Sequence, residues 1–246
     1  MKKISIFIIA LVLLLQTYAQ PVNGELVLSN ENLNVLKVWG TSDERAYAYG
    51  YLLGHKAADF FVNYAKPVWI GNNYQAMRDM ILAGDDLIID SVYVYEAMSF
   101  INGYEDATGN TENIDYIDVL IGNSMEDLLW LINGDHPFQC SSLMSWGDAT
   151  AGTDLDGKSV ISHHFDLTVN PTIIKSHVIV VNFPSEPGLQ KWLLVHLAGT
   201  LVPIDGLNQH FGVFGQAMDD CIEPVHHGMG YLPYGYASRK AIEYED

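Results

Sequence analysis

The stretch "HPFQCSSLMSWGDAT", residues 136–150, marks where the chain changes character. Upstream of it, residues 40–132 read as mainly helical. Downstream, short β-type runs follow one another: "KSVISHHFDL" (158–167), "SHVIVVNFP" (176–184), "KWLLVHLAG" (191–199) and "FGVFGQAM" (211–218). Turn signals such as "DLDG", "SEPG" and "PIDG" punctuate them. A helical first half followed by a β-meander points to an α+β architecture. Cys140 lies at the switch, on or just before the first strand of the β half.

The upstream half carries its own signals. "NLNVLKVWG" (32–40) reads as a strand, and the segment from Thr41 to Trp69 as a long helix. Thr41, with Glu44 three residues later, forms a capping box, and acids crowd the first turn where the helix dipole favours them. Ala46, Gly50, Gly54 and Ala57 recur at helical spacing as a narrow face suited to close helix packing. Residues 74–102 read as helical with a break near "AGDD", and residues 103–135 as a polar turn followed by a helix.

The first residues, "MKKISIFIIALVLLLQTYAQPV", place Lys2 and Lys3 before a short apolar run, Ile4 to Leu15, and end it on Thr17 and Ala19. This is the pattern of a removed secretory signal over residues 1–19. It implies a secreted or periplasmic protein with segments 20–139 and 140–246. No cysteine closely follows the apolar run, so a lipoprotein anchor is not expected. The 246-residue chain is 49% hydrophobic and carries a formal net charge of −18, which falls further once two lysines leave with the signal. Such a surface repels phosphate backbones, so nucleic acid is excluded as a partner.

An exported chain meets an oxidising compartment, and its two cysteines allow one disulfide, Cys140 to Cys221. The alternative is chemical. A cysteine before a strand can attack the carbonyl behind it, here that of Gln139. The resulting thioester, once hydrolysed, frees a chain that starts at Cys140. Its new α-amine, with a pKa of about 7.7–8.0, suits a general base for its own thiol. A metal site would have to draw on His163, His164, His196, His210, His226 and His227 with Asp166, Asp219 and Asp220. No HExxH spacing is present, and adjacent histidines on a strand point to opposite faces, so no metal and no other cofactor is expected. The absence of GxSxG argues against a serine hydrolase of the α/β type.

The order "CSS" at Cys140, a "DG" turn at Asp156–Gly157 after Thr150 or Thr153, and "SHHFD" at 162–166 resembles the cysteine-type N-terminal nucleophile hydrolases. The penicillin acyltransferase group (peptidase family C45) is the nearest in pattern. Acid ceramidase, bile salt hydrolases and phospholipase-B-like proteins are more distant. The upstream "WGTSDERAYAYGYLLG" resembles the group's propeptide segment, and "IDGLNQHFGVFGQAM" (204–218) its later oxyanion segment. The resemblance implies an αββα sandwich preceded by a helical propeptide-like segment, with cleavage at Gln139–Cys140 and the two fragments staying associated. It further implies Cys140 as nucleophile, Asp166 holding the terminal amine and Asn208 facing the oxyanion. His163 stands where most of the group has arginine, and His164 replaces an asparagine. Residues 140–246 are short for a four-layer sandwich, so the catalytic segment is expected to be incomplete at its C-terminal end. The substrate implied is a small acyl amide, by hydrolysis or acyl transfer. A phospholipase-B-like lipid hydrolase and a non-catalytic acidic protein with a Cys140–Cys221 bridge are the alternatives.

Overall fold

A computed structural model of the chain describes residues 20–134, 139–215 and 226–244. The expected signal over 1–19, Asp219, Asp220 and Cys221 lie outside the described residues. Two strands come first, β1 (Gly24–Ser29) and β2 (Asn34–Gly40). Helix α1 (Ser42–Phe60) follows and continues as a wider, π-helical segment over Phe61–Ile70, which contains Pro67. Then come α2 (Tyr74–Ala83), α3 (Ser91–Thr108), α4 (Tyr116–Asn123) and α5 (Met125–Asn133). The second half holds β3 (Gln139–Ser145), β4 (Val160–Asp166), α6 (Pro171–Lys175), β5 (His177–Pro184), β6 (Trp192–Leu197), β7 (Asp205–Asn208), β8 (Gly212–Phe214) and α7 (Tyr234–Glu243).

The fold is α+β. Among the described residues, six strands form one mixed sheet in the order β1-β2-β5-β6-β7-β8, and β3 pairs with β4 in a separate ribbon. β2 and β5 run parallel, with Asn34 opposite Val178 and Gly40 opposite Pro184, while the other pairs are antiparallel. The helical first half and the β half therefore share one sheet. "DGLN" at 205–208, which carries the composition of a turn, is strand β7. Pairing with Leu193–Val195 and Trp192 of β6 overrides the local turn preference there.

Alternation decides which face of the sheet is covered. Leu36 and Val38 of β2, Val178 and Val180 of β5, and Trp192 and Leu194 of β6 are buried against α1 and α3. The two helices meet through glycine. A Cβ on Gly50 would lie 1.8 Å from the Phe100 carbonyl oxygen, and one on Gly103 would lie 2.1 Å from that of Tyr47. The small-residue face of α1 is thus a packing surface, as its spacing suggests. Its N-terminus is capped as expected, with Glu44 accepting from the Thr41 N–H at 2.8 Å. A second core of Phe60, Tyr64, Ile70, Met77, Ile121 and Leu128 joins the π-helical segment to α2, α4 and α5. No described helix is long and apolar enough to cross a membrane.

α7 closes the sheet's far end through a buried ionic network. Arg239 Nη2 donates to Glu96 Oε1 at 2.6 Å, and Arg239 Nε to Glu243 Oε1 at 2.9 Å. Arg45 of α1 pairs with Glu186 at 2.8 Å nearby.

Candidate active site

The ribbon that carries Cys140 is shaped by its connection. Residues 146–159 are held by Thr150, whose buried hydroxyl donates to the Lys158 carbonyl at 2.9 Å, and by Thr153, whose hydroxyl donates to the Thr150 carbonyl at 2.7 Å. Asp156 and Gly157 take φ values of +47° and +80°, and the Lys158 N–H donates to the Leu155 carbonyl at 2.9 Å. That is the geometry an Asp-Gly pair favours in a turn with two positive φ angles.

Register then sorts the side chains. Gln139 lies opposite Asp166, Cys140 opposite Phe165, Ser141 opposite His164, and Ser142 opposite His163. With a period of two, Cys140, Ser142, His163 and Phe165 share one face of the ribbon. Phe165 and His163 stack obliquely at 4.5 Å between ring centroids. The His163 side chain is only 4% exposed, and its Nδ1 lies 2.8 Å and 3.0 Å from the two carboxylate oxygens of Asp205. A carboxylate at Nδ1 fixes the ring's orientation and its tautomer, and directs basicity to Nε2. Asp205 reaches this position because, at the start of β7, it pairs with Val195 of β6. Burial pushes the Asp205 carboxyl up, and the neighbouring His163 opposes that rise.

His163, Phe165 and Asp205 form one wall of a cavity of about 350 Å³, within the range of small-molecule sites. Apolar side chains make up most of the remainder, among them Trp69, Ile173 and Val202. His196 also lines it. Burial and the neighbouring His177 and His163 push its pKa down to about 3, so it is neutral, and its Nδ1 lies 2.9 Å from the Thr200 hydroxyl. Tyr234, at the start of α7, also lines the cavity; it hydrogen-bonds Glu126 through its hydroxyl, and its N–H donates to Asp127 Oδ1 at 3.2 Å. Burial raises the Glu126 carboxyl to about 7 and the Asp127 carboxyl to about 6. Burial, the two acids and Cys140 all hold the Tyr234 phenol well above its ordinary value. Cys140 is half-buried and is not among the described lining residues of the cavity; its influence on Tyr234 is electrostatic.

The four catalytic residues expected from the sequence are not all gathered. Cys140 and His163 share a ribbon face, and of the two His163 lines the cavity. Asp166 is exposed and, by the same alternation, belongs to the opposite face, although its backbone adjoins Gln139. Asn208 is buried at the end of β7, where its Nδ2 donates to the Ile242 carbonyl at 2.9 Å and its Oδ1 accepts from the His210 and Phe211 N–H groups. It ties the β7–β8 turn to α7. His164 faces outward and its Nε2 lies 2.8 Å from the Ser162 hydroxyl. Among the described residues, no three His, Cys, Asp or Glu side chains converge on one ion position.

Sequence reading passed over Asp205, Glu126, Asp127 and Tyr234. Asp205 sits in "PIDG", where a turn explains an aspartate, and the two acids open α5, where a helix dipole explains them. Only tertiary placement separates these roles from a place in a cavity. No protein-family model and no curated protein matches the chain.

Proposed function

We propose that this chain is an exported, cysteine-dependent acyl-transfer hydrolase of the N-terminal nucleophile type, acting on C–N amide bonds. One observation carries the reading. Cys140 shares a ribbon face with His163, which Asp205 orients at the wall of an apolar cavity. The chemistry starts with the chain itself. The Cys140 thiol adds to the Gln139 carbonyl, the amide C–N bond breaks, and the freed amine takes the proton. Water then hydrolyses the thioester, leaving a carboxylate on Gln139 and a free thiol on Cys140. On substrate, the same thiol attacks an acyl carbonyl while the α-amine takes its proton and returns it to the leaving amine. Water or a second amine releases the acyl group. In this reading Asp166, beside the new terminus, holds the amine, and Asn208 supports the segment that faces the oxyanion. The two fragments stay together through the β2–β5 pairing.

The finer architecture proposed is the αββα sandwich. Its support is the second face of the six-stranded sheet, where Trp39 and Leu207 remain 41% and 49% exposed and offer an apolar surface for another layer.

A second reading is favoured by the His163–Asp205 contact itself. A thiol, an imidazole and a carboxylate suffice for acyl transfer without chain cleavage. Terminal sequencing of the purified protein separates the two. A second N-terminus reading CSSLM, absent from Cys140→Ala, supports the self-cleaving enzyme. An intact chain that turns over acyl amides and loses activity in His163→Ala supports the imidazole-based one. An intact, inactive chain with Cys140 bridged to Cys221 defeats both. Amide and phospholipid substrates assayed in parallel decide between an amidase and a lipid hydrolase.

A further inference from the structure

Glu126 and Asp127 occupy an unusual position for two adjacent acids. Both line the cavity with Tyr234, and no lysine or arginine is among its described lining residues. The three histidines there have other partners or are neutral. His163 is engaged by Asp205, His196 is held neutral, and His177 Nδ1 lies 2.9 Å from the Ile174 carbonyl. The influences on the two carboxyls are burial, hydrogen bonds from Tyr234 and from the Asp127 backbone, and the charge of Asp127 on Glu126, with no cation among them. Asp127 Oδ2 is fully buried and has no hydrogen-bond partner among the described residues. A buried carboxylate oxygen without a partner is costly, and a ligand that supplies a donor and a positive charge removes that cost. The walls around it are apolar and aromatic, with Trp69 and Phe165 able to cover a ring or a short chain and to favour a nearby cation.

We infer that the cavity takes a ligand joining an apolar body to a protonated amine, with Glu126 and Asp127 as its counter-charge and the Tyr234 hydroxyl oxygen as a neighbouring acceptor. As a statement about substrate, this rests on the acyl-transfer reading: the acyl amides favoured are those with a cationic amine on an apolar scaffold.

Three probes of one shape and different charge test it: 2-phenylethylamine, 2-phenylethanol and phenylacetate. Calorimetric titration at pH 8 is made on the full chain and on its Cys140→Ala variant, in which acyl transfer plays no part. The amine should bind at least about tenfold more tightly than the alcohol, a difference of about 1.4 kcal/mol, and phenylacetate should bind least. In Glu126→Gln/Asp127→Asn the preference should fall below about twofold, the loss expected when the counter-charge is removed. Equal binding of amine and alcohol, binding of none of the three, or a preference that survives in the double variant overturns the inference. Should the double variant fail to fold, the three probes on the unsubstituted chain decide alone. Amine preference without any acyl-enzyme at Cys140 defeats the catalytic reading and leaves this one standing. Acyl-enzyme formed from neutral amides, with no preference for amines, does the reverse.

Discussion

At the residue scale, the His163–Asp205 contact is the most specific piece of local chemistry in the molecule. Asp205 holds the His163 ring through Nδ1, and in the proposed chemistry its part is to position the imidazole. In the imidazole-based reading, Asp205→Asn is expected to lower kcat by roughly tenfold or more with little change in KM, and to displace the pH profile, because an amide leaves the wrong tautomer equally accessible. Asp205→Glu should recover part of the loss. An unchanged pH profile in Asp205→Asn would remove His163 from the reaction. Glu126 gives a second, independent expectation. Its folded pKa of about 7 lies above the ordinary value of 4.5, so the folded state holds its proton more tightly than the unfolded one. The associated stability is fully present below pH 4.5 and is lost as pH rises through about 7. Glu126→Gln should therefore raise Tm at pH 8, by the equivalent of at most about 3 kcal/mol, and leave it unchanged near pH 4. Thermal melts across that range give the answer. At this scale the sequence singles out Cys140, one of two cysteines, because it stands at a change of pattern. It does not single out Asp205, since "PIDG" is satisfied as a turn and its partner lies 42 residues away.

At the element scale, much of the helical half follows from local rules. The Thr41–Glu44 box starts α1, and the glycine face of that helix brings it against α3. Gly50→Ala forces a methyl group onto the Phe100 carbonyl, so α1 and α3 must separate; a loss of about 2–4 kcal/mol is expected in urea unfolding. Gly122→Ala is the matched control. A Cβ there meets nothing within 4 Å, and helix propensity favours alanine by about 1 kcal/mol. A Gly50→Ala variant as stable as the parent would show that the two helices do not approach through this face. The β half was legible as strands and less so as a sheet. β7 has the sequence of a turn, β1 shows no pattern that separates it from a loop, and the register of β3 on β4 depends on a connection of turns and hydroxyl contacts.

At the scale of the whole molecule, the parallel pairing of β2 with β5 joins segments more than 140 residues apart, which no local pattern encodes. That pairing would hold the two products together after cleavage at Gln139–Cys140. The buried network around Arg239 does the same for α7. Arg239→Ala leaves Glu96 and Glu243 buried without their shared cation and is expected to cost about 3–5 kcal/mol, visible as a large fall in Tm. Asn208, bonded to the Ile242 carbonyl, should lose α7 docking with it, so limited proteolysis of Arg239→Ala should cut first near α7. The central claim concerns Cys140 as the group that takes the acyl chain at the cavity. The direct measurement is mass spectrometry of acid-quenched protein after brief exposure to a panel of N-acyl amides and lipid esters. An adduct of one acyl mass on the Cys140 thiol, absent from Cys140→Ala and reduced in His163→Ala, is the expected result. A Cys140 that carries no acyl group from any member of the panel, or that is recovered as a disulfide with Cys221, would contradict it.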